Sequence, residues 1–199
     1  MKKPFSKYNY APIPDNEKER LKSLKSYDIL DTPDEEDFNE ITRLAARIAK
    51  SPIGLISLID EERQWFKSKV GLNVKETPRN ISFCQHAIMQ DDIYEIPNAL
   101  KNELFLNNPL VKGNPDIRFY AGVPLIDPKG FHLGTLCVID TKPKKLSLEQ
   151  KEVLKLLAKA VVNHLNLRKH KIELQEREKV LQRFFDLTLD FMCIANVQG

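Results

Sequence analysis

Two cysteines and a histidine are the residues of this chain whose types could do chemistry: Cys84 and His86, separated by Gln85, and Cys137 within Leu136-Cys137-Val138-Ile139. A metal held by these three would need a fourth ligand or a water, and a helix converging on a strand. A redox thiol needs a lowered pKa and access, whereas the apolar strand around Cys137 should bury the thiol and raise its pKa. The plainer reading of Cys84 is a helix cysteine packed as a small hydrophobe. Phosphate-cradling loops, Ser/His/Asp arrangements and paired catalytic carboxylates are not apparent.

Composition sets the frame for these residues. A chain of 199 residues, 42% hydrophobic, can bury one sizeable core with an arm or a fragment of a second domain. Thirty-one Lys and Arg against 28 Asp and Glu give a net charge of +3, which offers no reason to expect a nucleic-acid partner. Basic residues gather late, from Lys142 through Lys155 and Arg168 to Lys171, and read as a solvated helix face. No apolar run follows Lys2-Lys3, and no stretch approaches the ~20 apolar residues of a membrane span. Neither a signal peptide nor a membrane segment is expected. Cys84, Cys137 and Cys193 are odd in number and widely spaced, which suits a reducing, cytoplasmic compartment.

The elements that must position the cysteines follow from periodicity. Residues 1–14 carry Pro4, Pro12 and Pro14 and read as an extended arm. Asp15 stands where an N-cap would precede a helix through Ile29-Leu30. Thr32 and Pro33 should open a second helix with Phe38, Ile41, Leu44, Ala45 and Ile48 as its stripe, stopped by Pro52. Ile53–Ile59, nearly all apolar, is a central strand, paired as a hairpin with residues 63–69. Residues 71–80 read as loop. Ser82 caps a short helix through Met89, and residues 93–96 form a brief strand. The connection from Pro97 to Asp116 is rich in Asn and Pro and partly helical. Strands over 118–126 and 131–140 meet across Asp127-Pro128-Lys129-Gly130. Ser147 and Gln150 form a capping box at the head of a helix that runs uninterrupted to about Phe185. Leu154, Val161 and Leu165 can face a core, while Leu167, Leu174 and Leu181 repeat every seven residues, as in a short coiled coil. A break that folds this helix back is the competing arrangement. The order and the hairpins predict an α+β fold, an antiparallel sheet with helices on its faces.

Several blocks carry a family resemblance. Arg20-Leu21, Leu24, Tyr27 and Ile29 to Thr32 come first, then Ile56 to Asp60 and Arg63 to Ser68, then Pro78-Arg79, Ser82-Phe83-Cys84 and His86-Ala87-Ile88. Ile117 to Leu125 (IRFYAGVPL) and Leu133 to Asp140 (LGTLCVID) are the sharpest. In this order they resemble a subgroup of bacterial GAF domains, from about Pro14 to Val162. The resemblance implies a mostly antiparallel sheet, with the first, second and last helices on one face and a pocket under variable loops on the other. It implies a sensor over residues 15–165, a helical coiled-coil linker over 166–184, and a homodimer through the terminal helices. Residues 185–199 resemble the start of a PAS domain. The implied whole is a signal-transduction protein ending in a histidine kinase or a diguanylate cyclase, in which this portion is not itself an enzyme. Where relatives carry acidic residues and an arginine, this chain has Asn98, Asn102 and Leu104, so charge-based ligand recognition is weakened.

The expected site follows from strand alternation. Phe119, Ala121, Val123 and Leu125 should meet the helices, leaving Tyr120 and Gly122 on the opposite face. Ser57, Thr135 and Cys137 can share that face. With Trp65, Phe83, Cys84 and His86 they form the expected wall of a cavity for an unidentified, largely uncharged small molecule, lidded by residues 97–116. Bare packing is the competing role. On the cavity reading, Tyr120→Ala should cost less stability than Phe119→Ala. No cofactor is named: bilin-binding GAF domains typically place a histidine directly beside the chromophore cysteine, and Gln85 intervenes here. The alternative function is a thiol redox enzyme of the free methionine sulfoxide reductase type, for which Cys84 and Cys137 are the pair available inside the domain.

Overall fold

The most apolar segment of the chain, β1 (Ile53–Ile59), is buried along its whole length because it lies inside a six-stranded sheet. The computed structural model describes residues 11–197, with side chains through residue 185. Its other strands are β2 (Arg63–Val70), β3 (Glu76–Pro78), β4 (Tyr94–Ile96), β5 (Phe119–Ile126) and β6 (His132–Asp140). Their order across the sheet is β3-β2-β1-β6-β5-β4, and every pairing is antiparallel. The register sets Ser57 opposite Thr135 and Cys137 opposite Gly122.

Helices α1 (Glu17–Lys25), α2 (Glu36–Ile48) and α5 (Leu148–Val197) share one face of the sheet. Leu24, Phe38, Ile41, Ala45, Leu154, Val161 and Leu165 pack there against Ile56, Leu58, Phe119, Ala121, Val123 and Leu125. The other face meets α3 (Phe83–Ala87) and the connection from β4 to β5, which contains α4 (Pro109–Lys112). Phe83, Cys84, Phe105, Val111 and Ile117 cover Leu55, Ile59, Tyr120, Cys137 and Ile139. The period-two alternation of β5 thus divides two cores as its sequence predicts.

Several boundaries differ from the sequence reading. Asn16, not Asp15, precedes α1, and neither caps it through its side chain. The helix ends at Lys25, and Asp28 and Asp31 then take positive φ. Pro33 does not open α2. The fully covered ammonium of Lys67 draws the Thr32 hydroxyl (2.9 Å), the Pro33 carbonyl (2.7 Å) and the Glu35 carboxylate (2.7 Å) around itself. A cationic head in the interior needs those acceptors, and residues 32–35 stay non-helical to supply them. Residues expected to be loop hold β3 and a 3-10 turn over Arg79–Ile81, which sequence patterns of three residues cannot announce.

Other features match. Ser82 accepts from the Gln85 amide at 3.1 Å at the head of α3, and Ser147 and Gln150 form the reciprocal capping box, at 2.9 and 3.1 Å. Beyond Leu165 no described side chain of α5 is buried, and Leu167, Leu174 and Leu181 are exposed. The backbone continues as helix to Val197. The resemblance of residues 185–199 to a PAS domain falls on side chains outside the described residues from 186 onward, and most of the N-terminal arm also lies outside them. Among the described residues, no helix is long and apolar enough to cross a membrane.

Candidate functional site

Ser57 on β1, Thr135 and Cys137 on β6, Tyr120 on β5 and Cys84 on α3 come together between the sheet and α3. The Cys84 and Cys137 sulfurs lie 3.7 Å apart, and the Tyr120 hydroxyl donates to Cys84 Sγ at 3.3 Å. Every one of these five side chains is at most 1% exposed. Ser57 Oγ and Thr135 Oγ1 have no hydrogen-bond partner of ordinary geometry, yet both hydroxyls face the Cys84 thiol.

Aromatic rings close the site. Phe83 stacks on Phe105 with centroids 4.0 Å apart and lies 5.2 Å from Tyr120. His86 meets the Phe105 edge at 4.7 Å, and its burial lowers the imidazole pKa to about 4, so it is neutral near pH 7. Phe105 carries no signal of periodicity. A lone aromatic within an Asn- and Pro-rich connection is the one hint that this segment plugs a hole rather than arching over it.

The sequence reading places Tyr120 on the wall of a cavity; the structure shows it filling that space. The ring folds back over Gly122, where an added Cβ would lie 2.2 Å from the phenolic oxygen. Gly122 is therefore required by close approach rather than by backbone conformation. Surface recesses lie elsewhere: about 790 Å³ beside Asp60, Glu62, Arg63 and Glu76, about 430 Å³ beside Ile13, Arg79 and Gln85, and about 350 Å³ between Val123 and Leu156. Trp65 is also displaced from the expected set. It belongs to the helix-side core, because its strand, β2, presents Phe66 to the opposite core.

The thiols differ in character. Burial raises Cys84, but the nearby Cys137 thiol and the Thr135, Tyr120 and Ser57 hydroxyls outweigh it and bring the group down to about 7. Cys137 is pushed up, by its contact with Cys84 and by burial. The rise at Cys137 is the direction its apolar strand predicts. The fall at Cys84 depends on hydroxyls from three strands, which sequence alone does not bring together. Among the described residues, no three His, Cys, Asp or Glu side chains are placed to hold a metal.

A second polar cluster joins α1 to α3. Arg20, 1% exposed, gives two bonds to the Glu17 carboxylate, at 2.8 and 2.9 Å, and reaches the Ile59 carbonyl at 2.7 Å. Arg79 reaches Glu17 at 2.6 Å and Gln85 Oε1 at 2.6 Å. Arg20 and Arg79 stand out in the sequence as parts of motifs, but their shared carboxylate does not.

Comparison with known proteins places these features in a family. The family model described as the GAF domain matches residues 35–165. A cyclic di-GMP phosphodiesterase of Pseudomonas aeruginosa is 41% identical over 133 residues, which are 67% of this chain and 23% of that protein. The chain thus spans about a quarter of the length of that curated relative. Among solved structures, the GAF domain of an Acinetobacter phosphoenolpyruvate-protein phosphotransferase superposes with a TM-score of 0.56 at 20% identity, covering 77% of this chain and 94% of that one. A type II free methionine-R-sulfoxide reductase of Thermoplasma acidophilum gives 0.52 at 14% identity, over 65% and 92%. These two likenesses are of fold.

Proposed function

The chain belongs to the GAF domain family, and from that premise we propose that it is the regulatory, dimer-forming part of a larger signal-transduction protein. The observation that carries this reading is α5. Its first turns are built into the core through Leu154, Ala158, Val161 and Leu165, and its later turns expose Leu167, Leu174 and Leu181 at heptad spacing. A helix anchored at one end and apolar along one side beyond it suits a parallel partner helix. Whatever shifts the core then shifts the pair, as a change of population between two arrangements.

The output proposed is a histidine kinase or a diguanylate cyclase behind a PAS domain, and the Pseudomonas relative adds cyclic di-GMP hydrolysis to that list. Binding of an unidentified small molecule belongs to the same proposal. It requires the far face to open, because Tyr120, Ser57 and Thr135 are covered. Dimerisation is therefore the first property to measure. Sedimentation at micromolar concentration should give a dimer, and Leu174→Glu should shift it toward monomer, since a charge buried on a seam is unfavourable. A monomer at every concentration, or a dimer indifferent to Leu174→Glu, would remove the reading.

The 3.7 Å approach of Cys84 and Cys137 favours a second reading, a thiol enzyme acting on free methionine sulfoxide. Burial of both thiols opposes it, because the substrate must reach the attacking sulfur. Turnover of methionine-R-sulfoxide with dithiothreitol, abolished by Cys84→Ser, would establish it.

A further inference from the structure

We infer that Cys84 and Cys137 are a reversible redox modification site, converted to a disulfide by hydrogen peroxide or an organic hydroperoxide. Three independent features point there. The two sulfurs are in van der Waals contact at 3.7 Å across 53 residues of sequence, and a disulfide needs them about 1.7 Å closer, at the ~2.05 Å bond length. The Tyr120 hydroxyl already donates to Cys84. Ser57 and Thr135, cross-strand neighbours, bury hydroxyls without ordinary partners.

Orphaned hydroxyls in a dry interior are unfavourable, and packing alone would be served as well by alanine and valine. A thiolate on Cys84 supplies the missing acceptor. It can take the Tyr120, Ser57 and Thr135 protons together with the Cys137 S–H, and the site is then fully satisfied. The strand hydroxyls thus act as positioning groups for an anionic sulfur rather than as contacts for an external ligand.

The chemistry balances without a cofactor. The Cys84 thiolate attacks one peroxide oxygen; an S–O bond forms, the O–O bond breaks, and the departing hydroxide or alkoxide takes a proton and leaves as water or alcohol. The Cys137 sulfur then attacks the Cys84 sulfenic sulfur. The S–S bond forms, the S–O bond breaks, and hydroxide leaves with the Cys137 proton as water. Two thiols lose two electrons to one peroxide, and a dithiol reductant reverses the change. Since both sulfurs are covered, oxidation waits on local opening of α3, a helix of five residues. The product ties α3 to β6. Gln85, next along α3, holds Arg79 and through it Glu17, so the bond would be felt at α1.

The test uses the full chain carrying Cys193→Ser, which removes the third thiol and keeps the pair intact. Excess hydrogen peroxide should lower the intact mass by two hydrogens, dithiothreitol should restore it, and proteolysis should yield a Cys84–Cys137 cross-linked peptide. Sub-denaturing urea should accelerate the reaction. Tyr120→Phe should slow it several-fold while leaving the same product. The inference is overturned if Cys84 proceeds to sulfinic acid with Cys137 still free, or if the thiols remain reduced after urea has opened α3. A dimeric protein with inert thiols would defeat this inference and leave the regulatory reading standing.

Discussion

Glu17 and Arg79, 62 residues apart in sequence, are joined by a 2.6 Å bond from the guanidinium to the carboxylate, and the same carboxylate also receives Arg20. One negative charge thus serves two buried cations, which also donate to the carbonyls of Ile59, His132, Asp60 and Glu61 and, from Arg79, to Gln85 Oε1. Burial raises the Glu17 pKa, but the hydrogen bonds and charges of Arg20 and Arg79 more than reverse this and hold it below the ordinary range.

Glu17→Gln leaves both guanidiniums without a counter-charge. Breaking a buried pair from one side typically removes about 3–5 kcal/mol, and urea unfolding should read a loss near the lower figure because Glu17 keeps some exposure. Unchanged stability would mean that the carbonyls alone solvate the arginines.

Tyr120 and Phe119 are both fully covered, on opposite faces of β5. Replacing either with alanine should therefore cost a similar amount, about 3–5 kcal/mol, in place of the smaller cost expected for a cavity-lining tyrosine. Denaturant midpoints of the two variants decide the matter, and a Tyr120→Ala loss below half that of Phe119→Ala would restore the cavity.

Gly122→Ala forces a methyl into the Tyr120 phenol, and overpacking of that kind costs about 1–3 kcal/mol. In a chain that already carries Tyr120→Ala the clash is gone, so the same glycine substitution should be nearly neutral. A double-mutant cycle measures this coupling directly, and strict additivity would show that Gly122 is required for another reason.

His86 supplies a pH dependence whose sign follows from its burial. Desolvation lowers the folded pKa from 6.5 to about 4, so between those values the unfolded chain binds the proton more readily. The stability contributed by the neutral imidazole is present above pH 6.5 and is lost as pH falls toward 4. Glu17 and Glu35, held below the ordinary carboxylate value of 4.5, contribute stability that is present above 4.5 and is lost as pH falls further. Denaturant midpoints should decline from neutral pH toward pH 4.5, and His86→Phe should flatten that decline.

How much of this was readable in the chain varied with the range of the interaction. Strands with several alternating or continuous apolar residues, such as β1 and β5, declared themselves, and so did the capped starts of α3 and α5, because their signals lie within one element. The start of α2 did not, since Lys67, more than thirty residues away, decides the conformation of Pro33. The site was legible as a set of residues on one face of the sheet. Its closed state was not, because that depends on Tyr120 folding over Gly122 and on Phe105 arriving from an irregular connection. The contact between Cys84 and Cys137 needs a helix and a strand brought together, which no local pattern encodes.

The exit of α5 from the core sets a mechanical ratio. From Leu165, the last buried residue among the described side chains of α5, to Phe185 the helix advances about 30 Å at 1.5 Å per residue. At that arm length, a tilt of about 5° at the sheet sweeps the far end through roughly 2.6 Å, several times the displacement at the packed turns themselves. Shifts of about an ångström between α5 and the strands, of the size a tightly packed core can make, become movements large enough to slide one helical side chain past the next. On the proposed regulatory reading, the domain can stay closely packed and still deliver a large stroke, because amplification would reside in the length of the helix and not in any softness of the core.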